Sequence, residues 1–418
     1  MKVKIKDIYV LLCVFLICTG SGNTILDAWQ DNAIIVLILA SVFLGSKNIS
    51  RMRLTGAQRV FICFIIVAVA SYFYAISRSN VIKYSVILIT VLLATFYTPN
   101  VDMIKKVIYY VKRITFIDAL SIIVFKIMGT TVVNVLSFYF TTDAAMTAAL
   151  NNQSAGLSGH VAYAAYMCVI GGSLLVLDYA TNTVKNREFF LKFSIYFFAL
   201  MFTGKRMMTL ILISIIIVII VLVKAKGKRK KIFIATFLLL STLLLVYNIR
   251  PELFVSLNRL FLSTTDDYTT LNSRTLFWGG AISLFKQHPI LGIGYHNYPI
   301  YDASSTVYGL GRGWDAHNMY LQVLAELGII GGSLLFLSYI LALIKTMKLI
   351  YLFKKKREIM YYEIALVAII LQLIYLIYGI TGYPIYYYSY LFAFFFSIMI
   401  CKSAEMEAFK MGGCHGNI

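Results

Sequence analysis

The stretch from His317 through Gly332 (His-Asn-Met-Tyr-Leu-Gln-Val-Leu-Ala-Glu-Leu-Gly-Ile-Ile-Gly-Gly) puts a histidine, two amides and an acid where a polar loop enters an apolar helix. Asn318, Gln322 and Glu326 recur at i, i+4 and i+8, so on a helix they form one polar stripe. Histidine titrates near neutral pH and suits proton transfer. A pair such as His317 and Glu326 can equally do no more than satisfy each other at a helix end. Gly328, Gly331 and Gly332 are small enough to let helices pack closely.

Two further places carry cations in unusual settings. Thr203-Gly204-Lys205-Arg206 joins two strongly apolar runs, where charge is costly unless it snorkels or finds a partner. Arg206 opens a helix, whose free N–H groups favour an anion. A guanidinium at that point makes a diphosphate clamp; snorkelling of Lys205 and Arg206 to headgroup phosphates would explain the same pair. Arg274 lies in Asn272-Ser273-Arg274-Thr275-Leu276-Phe277-Trp278. Asn272 or Ser273 can cap a helix running toward Lys286. Leu276, Ala281, Leu284 and Phe285 fit an amphipathic helix on the membrane surface, ending before Pro289. After it, Gly292 and Gly294 permit a tight bend against another backbone or a substrate. Without a strand and helix around it, this Gly-x-Gly is a weak phosphate-loop signal.

His160 starts a further apolar run, and taken alone it reads as an interfacial histidine, as do His288 and His296. Asp27 and Asp31 could bind a metal, although two carboxylates on a short loop are more often solvated. The six cysteines show no paired spacing, so neither a disulfide framework nor a zinc site is indicated. No P-loop, HExxH or Gly-x-Ser-x-Gly occurs.

The elements that must hold these residues are set by composition. The chain has 418 residues, 60% hydrophobic and 13% charged, against about 25% charged in soluble domains. Apolar runs of membrane-spanning length recur, and no alternating pattern of short strands suggests a β-barrel. The reading is an all-α integral membrane protein of about twelve spans, near 7–22, 27–45, 59–77, 84–100, 114–130, 159–181, 188–203, 206–223, 232–248, 326–347, 360–379 and 385–401. The net charge of +20 does not indicate nucleic acid. With the N-terminus inside, most cations fall on the cytoplasmic side, among them Lys2, Lys4, Lys6, Lys105, Lys106, the run from Lys224 to Lys231, and Lys354 to Arg357. This is the positive-inside pattern, with contact to lipid headgroups. The basic, then apolar, start resembles a signal peptide, but with eleven spans following it reads as a retained first helix.

Three regions follow: an N-terminal membrane region 1–248 of about nine spans, a long outer loop 249–316, and a C-terminal region 317–418 of about three spans ending in a cytoplasmic tail. The loop balances Glu252, Asp266, Asp267, Asp302 and Asp315 against Arg250, Arg259, Arg274, Lys286 and Arg312. Its balanced charge and many aromatics favour a packed, functional loop over a disordered one. No inverted pair of broken helices stands out, which weakens a transporter reading. Asp118 and Asp178, the main acids near predicted spans, sit close to expected span ends.

Three of these stretches together resemble the O-antigen ligase and O-antigen polymerase superfamily. The resemblance covers residues 202–332. Its most specific part is His317 to Gly332, similar to the family's His-Asn-x-x-Leu-x-x-x-x-Glu-x-Gly-x-x-Gly pattern with Leu321 at the leucine. Arg274 to Gly294 resembles the Arg…Trp…His-Pro-x-x-Gly-x-Gly stretch, and Thr203 to Arg206 the preceding basic motif. The resemblance implies a GT-C-like membrane glycosyltransferase that needs no metal or other cofactor. It would act on undecaprenyl-diphosphate-linked oligosaccharide as donor and acceptor at the outer leaflet of the bacterial inner membrane. By carry-over, Arg206 and Arg274 would bind the diphosphate, with Lys205 replacing the small residue many members have before the arginine. His317 would activate the acceptor hydroxyl or orient the donor; Asn318, Glu326, Arg312 and His160 would support. The Ile-, Lys-, Tyr- and Phe-rich composition tilts the expectation to a capsule or exopolysaccharide repeat-unit polymerase. A ligase of the same superfamily is the alternative, and a polysaccharide flippase is the alternative of another class. A chain-length regulator would be a further partner.

Overall fold

A computed structural model describes residues 4–19, 24–45, 54–141, 144–223, 228, 230–233, 236, 271–305, 307, 311 and 313–410. Among them the regular elements are helical and none is a strand. In chain order they are α1 (Ile5–Cys18), α2 (Gln30–Gly45), α3 (Gly56–Ala70), α4 (Arg78–Ala94), α5 (Val101–Met128), α6 (Thr130–Val135), α7 (Ala144–Leu150) and α8 (Val161–Ala180). There follow α9 (Asn186–Phe202), α10 (Arg206–Val223), α11 (Leu271–Gln287), α12 (Tyr298–Ser304), α13 (Met319–Lys356), α14 (Ile359–Tyr378) and α15 (Tyr388–Lys410). Six stretches among the described residues are long and apolar enough to cross a membrane: Asp27–Leu44, Gly56–Phe73, Val161–Ala180, Arg206–Val223, Met319–Lys356 and Ile359–Tyr378. The expected ninth span and the first part of the long loop lie outside the described residues, as does Arg312.

The chain forms two compact units, Met1–Leu12 with Ile34–Ile104 and Asp266–Ile418, and Cys13–Ala33 with Lys105–Thr265. The first is organised on α13, which packs against α3, α14 and α11, while α15 packs on α14 and α4. A capping box starts α3: the Thr55 hydroxyl accepts from the Gln58 amide at 3.2 Å, and the Gln58 side chain accepts from the Thr55 amide at 3.0 Å. Ser338 of α13 then donates to the Ala57 carbonyl at 3.0 Å, fastening the two helices near that cap.

The apolar stripe of α11 differs from the sequence expectation. Phe277, Ala281 and Leu284 are buried with Ile293, Tyr298, Ala316 and Ala325 in one cluster, whereas Leu276 is exposed. The 4-3 spacing selects the face that meets α13 and the loops beside it, so α11 is packed on protein along that face.

α13 is broken once. Gly328 has φ 61° and ψ −163° inside the helix, a conformation that side chains resist. The break admits a second chain segment. Ile293 N donates to Ala325 O at 3.1 Å, Gly294 N to Glu326 O at 2.8 Å, and Ile329 N to Pro289 O at 2.8 Å. A Cβ on Gly328 would stand 2.2 Å from Ile290 O, and one on Gly292 would stand 2.3 Å from the Glu326 carbonyl carbon. Gly328 thus serves backbone-to-backbone insertion, not the helix–helix packing its spacing suggested. Gly331 and Gly332 instead lie against Leu327 and Leu324 of their own helix.

The second unit is organised on α8, almost wholly buried and packed against α9 and α10. Lys112 of α5 pairs with Asp178 at 2.6 Å. Asp118 is not at a helix end as expected. α5 is a single 28-residue helix, so Asp118 falls in its interior and is buried. Its carboxylate accepts from the Ser158 amide at 3.2 Å and the Ser158 hydroxyl at 2.9 Å. Beside it lies a cavity of about 220 Å³ lined in part by Cys18, Asp27, Ile117, Tyr139 and Met167.

Candidate active site

In the first unit the site is built from the start of α13 outward. Asn318 is its N-cap, not part of the helical stripe: its side-chain oxygen accepts from Tyr320 N and Leu321 N, both at 3.1 Å. Met319 N donates to the carbonyls of Gly379 and Gly382 at 2.8 and 2.9 Å, so the turn after α14 anchors the same end. One residue earlier, His317 has φ 51°. Its ring lies 5.1 Å from Tyr383 and 5.9 Å from Phe277, centroid to centroid, and it is partly exposed.

Arg274 stands on α11, almost one turn before Phe277. Its guanidinium is partly buried near the Tyr378 hydroxyl and makes no hydrogen bond or ion pair among the described residues. Burial lowers its pKa from the usual arginine value. A guanidinium kept from water without an anion is poised to take one. Arg274, His317, Tyr378 and Tyr383 therefore lie around one mouth at the top of α13 and α14.

Glu326 acts behind that mouth. It is fully buried and collects four donors: His296 N at 2.7 Å, Tyr386 OH at 2.6 Å, Tyr298 N at 3.2 Å and Gln322 Nε2 at 3.1 Å. Its partner is not His317, as the sequence left open, but the backbone around His296. The acid is consumed in bracketing the 292–298 segment onto α13, since a buried carboxylate must be fully hydrogen-bonded.

That bracket brings in two residues the sequence reading did not single out. His296 has φ 51°, its ring stacks on Tyr84 at 3.4 Å and meets Tyr386 edge-on at 4.6 Å. Its Nε2 lies 3.4 Å from Asp315 Oδ1. Burial pushes the imidazole down to about 3 and, acting through the same desolvation, pushes the Asp315 carboxyl up to about 6. Near neutral pH the contact is a neutral imidazole against a carboxylate, not an ion pair. His296 Nδ1 is buried with no partner among the described residues. The only sequence signal for this pair was an acid two positions before His317 and a histidine two after Gly294.

In the second unit, Gly204 has φ 72°, and a Cβ there would stand 2.8 Å from Gln153 Nε2. That tight turn sets Lys205 just before Arg206, the first residue of α10. His160 is the exposed N-cap residue of α8 and gives no side-chain cap bond. The Lys205 ammonium and the Asp27 carboxylate both lie close enough to act on its imidazole electrostatically. Asp27 also accepts from the Thr24 amide and hydroxyl, each at 2.9 Å. The structure thus brings Lys205, Arg206 and His160 to one cluster, and Arg274, His317, Asn318 and Glu326 to another, each within its own unit.

Residues 191–337 match the family model described as O-antigen ligase, which supports the O-antigen ligase and polymerase superfamily. The matched stretch includes both cation motifs and the break in α13. No curated protein matches the chain.

Proposed function

From a chain that carries an O-antigen ligase domain over residues 191–337, we propose a polysaccharide repeat-unit polymerase. It transfers an undecaprenyl-diphosphate-linked glycan to a sugar hydroxyl of a second lipid-linked repeat unit. The observation that carries this reading is Arg274: a partly buried guanidinium with no described anion, at the mouth that also presents His317. The leaving group is a lipid diphosphate, and neutralising it lowers the barrier to departure; electrostatic stabilisation of this kind is often the largest catalytic contribution. Arg274 supplies that charge. His317, held by the Asn318 cap behind it, meets the reacting sugars. Lys205 and Arg206, at the start of α10, hold diphosphate or headgroup phosphate in their own unit. The reaction site faces the outer leaflet of the bacterial cytoplasmic membrane, in a twelve-span protein with both termini inside. Membrane lipids are further partners.

The test is a deletion strain whose lipid-linked glycans and surface polysaccharide are sized by gel and mass spectrometry. Single repeat units, on lipid or at the surface, support the polymerase. Full-length polymer stranded on the lipid diphosphate would replace it with a ligase. Single units trapped on the inner leaflet would replace it with a transporter, for which the buried Asp118 beside its cavity is the motivating observation.

A further inference from the structure

Asp315 is held more firmly than a loop acid needs to be. The amide before its own, Trp314 N, donates to Asp302 Oδ2 at 2.7 Å. The amide after it, Ala316 N, donates to Gln322 Oε1 at 3.0 Å. The same Gln322 donates through Nε2 to Asp315 Oδ1 at 2.7 Å, and His296 Nε2 stands 3.4 Å from that oxygen. His296 is itself fixed: its amide is on Glu326, its carbonyl accepts from Asn80 Nδ2 at 3.1 Å, and its ring is packed on Tyr84. One carboxylate oxygen is therefore braced from two sides. The other, Oδ2, accepts no hydrogen bond among the described residues, and the side chain keeps 15% of its surface open. Two residues on is His317. A rigid, half-satisfied carboxylate at the edge of a reaction mouth is the geometry of a proton acceptor.

We propose that Asp315 Oδ2 accepts the proton of the attacking sugar hydroxyl, with His296 and Gln322 as positioning residues and His317 left to orient the donor. The proposal rests on the glycosyltransferase reading above. As the hydroxyl oxygen forms its bond to the donor's anomeric carbon, its proton passes to Asp315. The bond from that carbon to the diphosphate oxygen breaks, and the electron pair leaves with the lipid diphosphate. The titratable groups around Asp315 are His296, Asp302 and Glu326, with the hydroxyls of Tyr84, Tyr298, Tyr383, Tyr386 and Tyr387. Glu326 and Asp302 are engaged by backbone donors, which leaves Asp315 as the carboxylate with an open oxygen.

The experiment uses purified full-length protein in vesicles with undecaprenyl-diphosphate-linked repeat units extracted from a deletion strain. Asp315→Asn keeps the size and the Gln322 contact while removing the base. Its kcat should fall roughly 10²–10⁴-fold, the usual contribution of a general base, with KM little changed and the rising limb of the pH profile gone. Gln322→Met removes a donor that favours the ionised carboxylate, so the rising limb should move to higher pH. If Asp315→Asn turns over normally while Arg274→Ala is dead, the proton assignment fails and the glycosyltransferase reading stands. If both turn over normally, the reading itself fails. Should Asp315→Asn not accumulate as folded protein, Gln322→Met decides: an unmoved limb overturns the proposal.

Discussion

Replacing Gly292 by alanine adds one methyl group far from any reacting atom, yet it should cost the protein its activity. Gly292 has φ +70°, and its Cβ would stand 2.3 Å from the Glu326 carbonyl carbon and 2.5 Å from Leu327 N. Both are backbone atoms, so no side chain can swing aside. The left-handed conformation alone costs an alanine about 1–2 kcal/mol. Relieving the overlap means withdrawing the 289–294 segment from the break in α13. That weakens the bonds from Ile293 N, Gly294 N and Ile329 N, each worth about 0.5–1.5 kcal/mol net. The combined local cost is about 3–6 kcal/mol, enough to open the segment and release His296 from Asp315. Gly279→Ala is the control: nothing lies within 4 Å of its Cβ, and inside a helix the change should gain about 0.5–1 kcal/mol. Hydrogen exchange across 289–298 and polymer yield, normalised to protein abundance, provide the assay. Fast exchange and lost polymer in Gly292→Ala, with Gly279→Ala at or above wild type, is the expected pattern. If the two variants behave alike, the insertion of one backbone into the other is not what holds the site.

Other substitutions separate the bracket from the mouth. Tyr386→Phe removes one donor from a buried carboxylate and should lower stability by roughly 1.5–3 kcal/mol, read as a shift in the thermal unfolding midpoint in detergent. Arg274→Lys should restore little of the polymer lost in Arg274→Ala, because an ammonium cannot reproduce a bidentate grip on phosphate oxygens; polymer sizing on gels reads this. Stability should fall as pH drops from about 6.5 toward 3 through His296, whose folded value is held down at about 3, since the unfolded chain binds the proton first. Asp315 acts with the opposite sign: its folded value of about 6 favours the neutral fold, a contribution present below the ordinary aspartate range and lost as pH rises through 6. His296→Gln should therefore flatten the acid side of a stability-versus-pH curve measured by thermal unfolding between pH 4 and 7, and an unchanged acid side would remove His296 as its cause.

Much of the helical architecture is legible in the sequence because apolar runs of spanning length leave few alternatives. α8, α10, α13 and α14 fall close to the expected stretches, although α13 starts at Met319, where the Asn318 cap places it, well before the apolar run expected from 326. The end of α11 just before Pro289 follows from the steric limit on the residue preceding proline. What composition and spacing could not carry are contacts between distant segments. Glu326 and the Pro289–Gly294 stretch were each visible, but that one is inserted into the other is a matter of backbone hydrogen bonds some 30 residues apart. Gly328 was read at helical period as a packing residue because nothing local announces a positive φ. His296 looked like any interfacial histidine until the bracket placed it against Asp315. Asp118 was misjudged because α5 runs on through the polar stretch that seemed to precede it.

The most direct measurement is transfer by the purified chain in vesicles supplied only with lipid-diphosphate-linked repeat units. A ladder of multimers from wild type, and none from Arg274→Ala or His317→Ala at equal folded abundance, is the expected result. A ladder of undiminished length and yield from both variants would contradict the placement of glycan transfer at the mouth of α13.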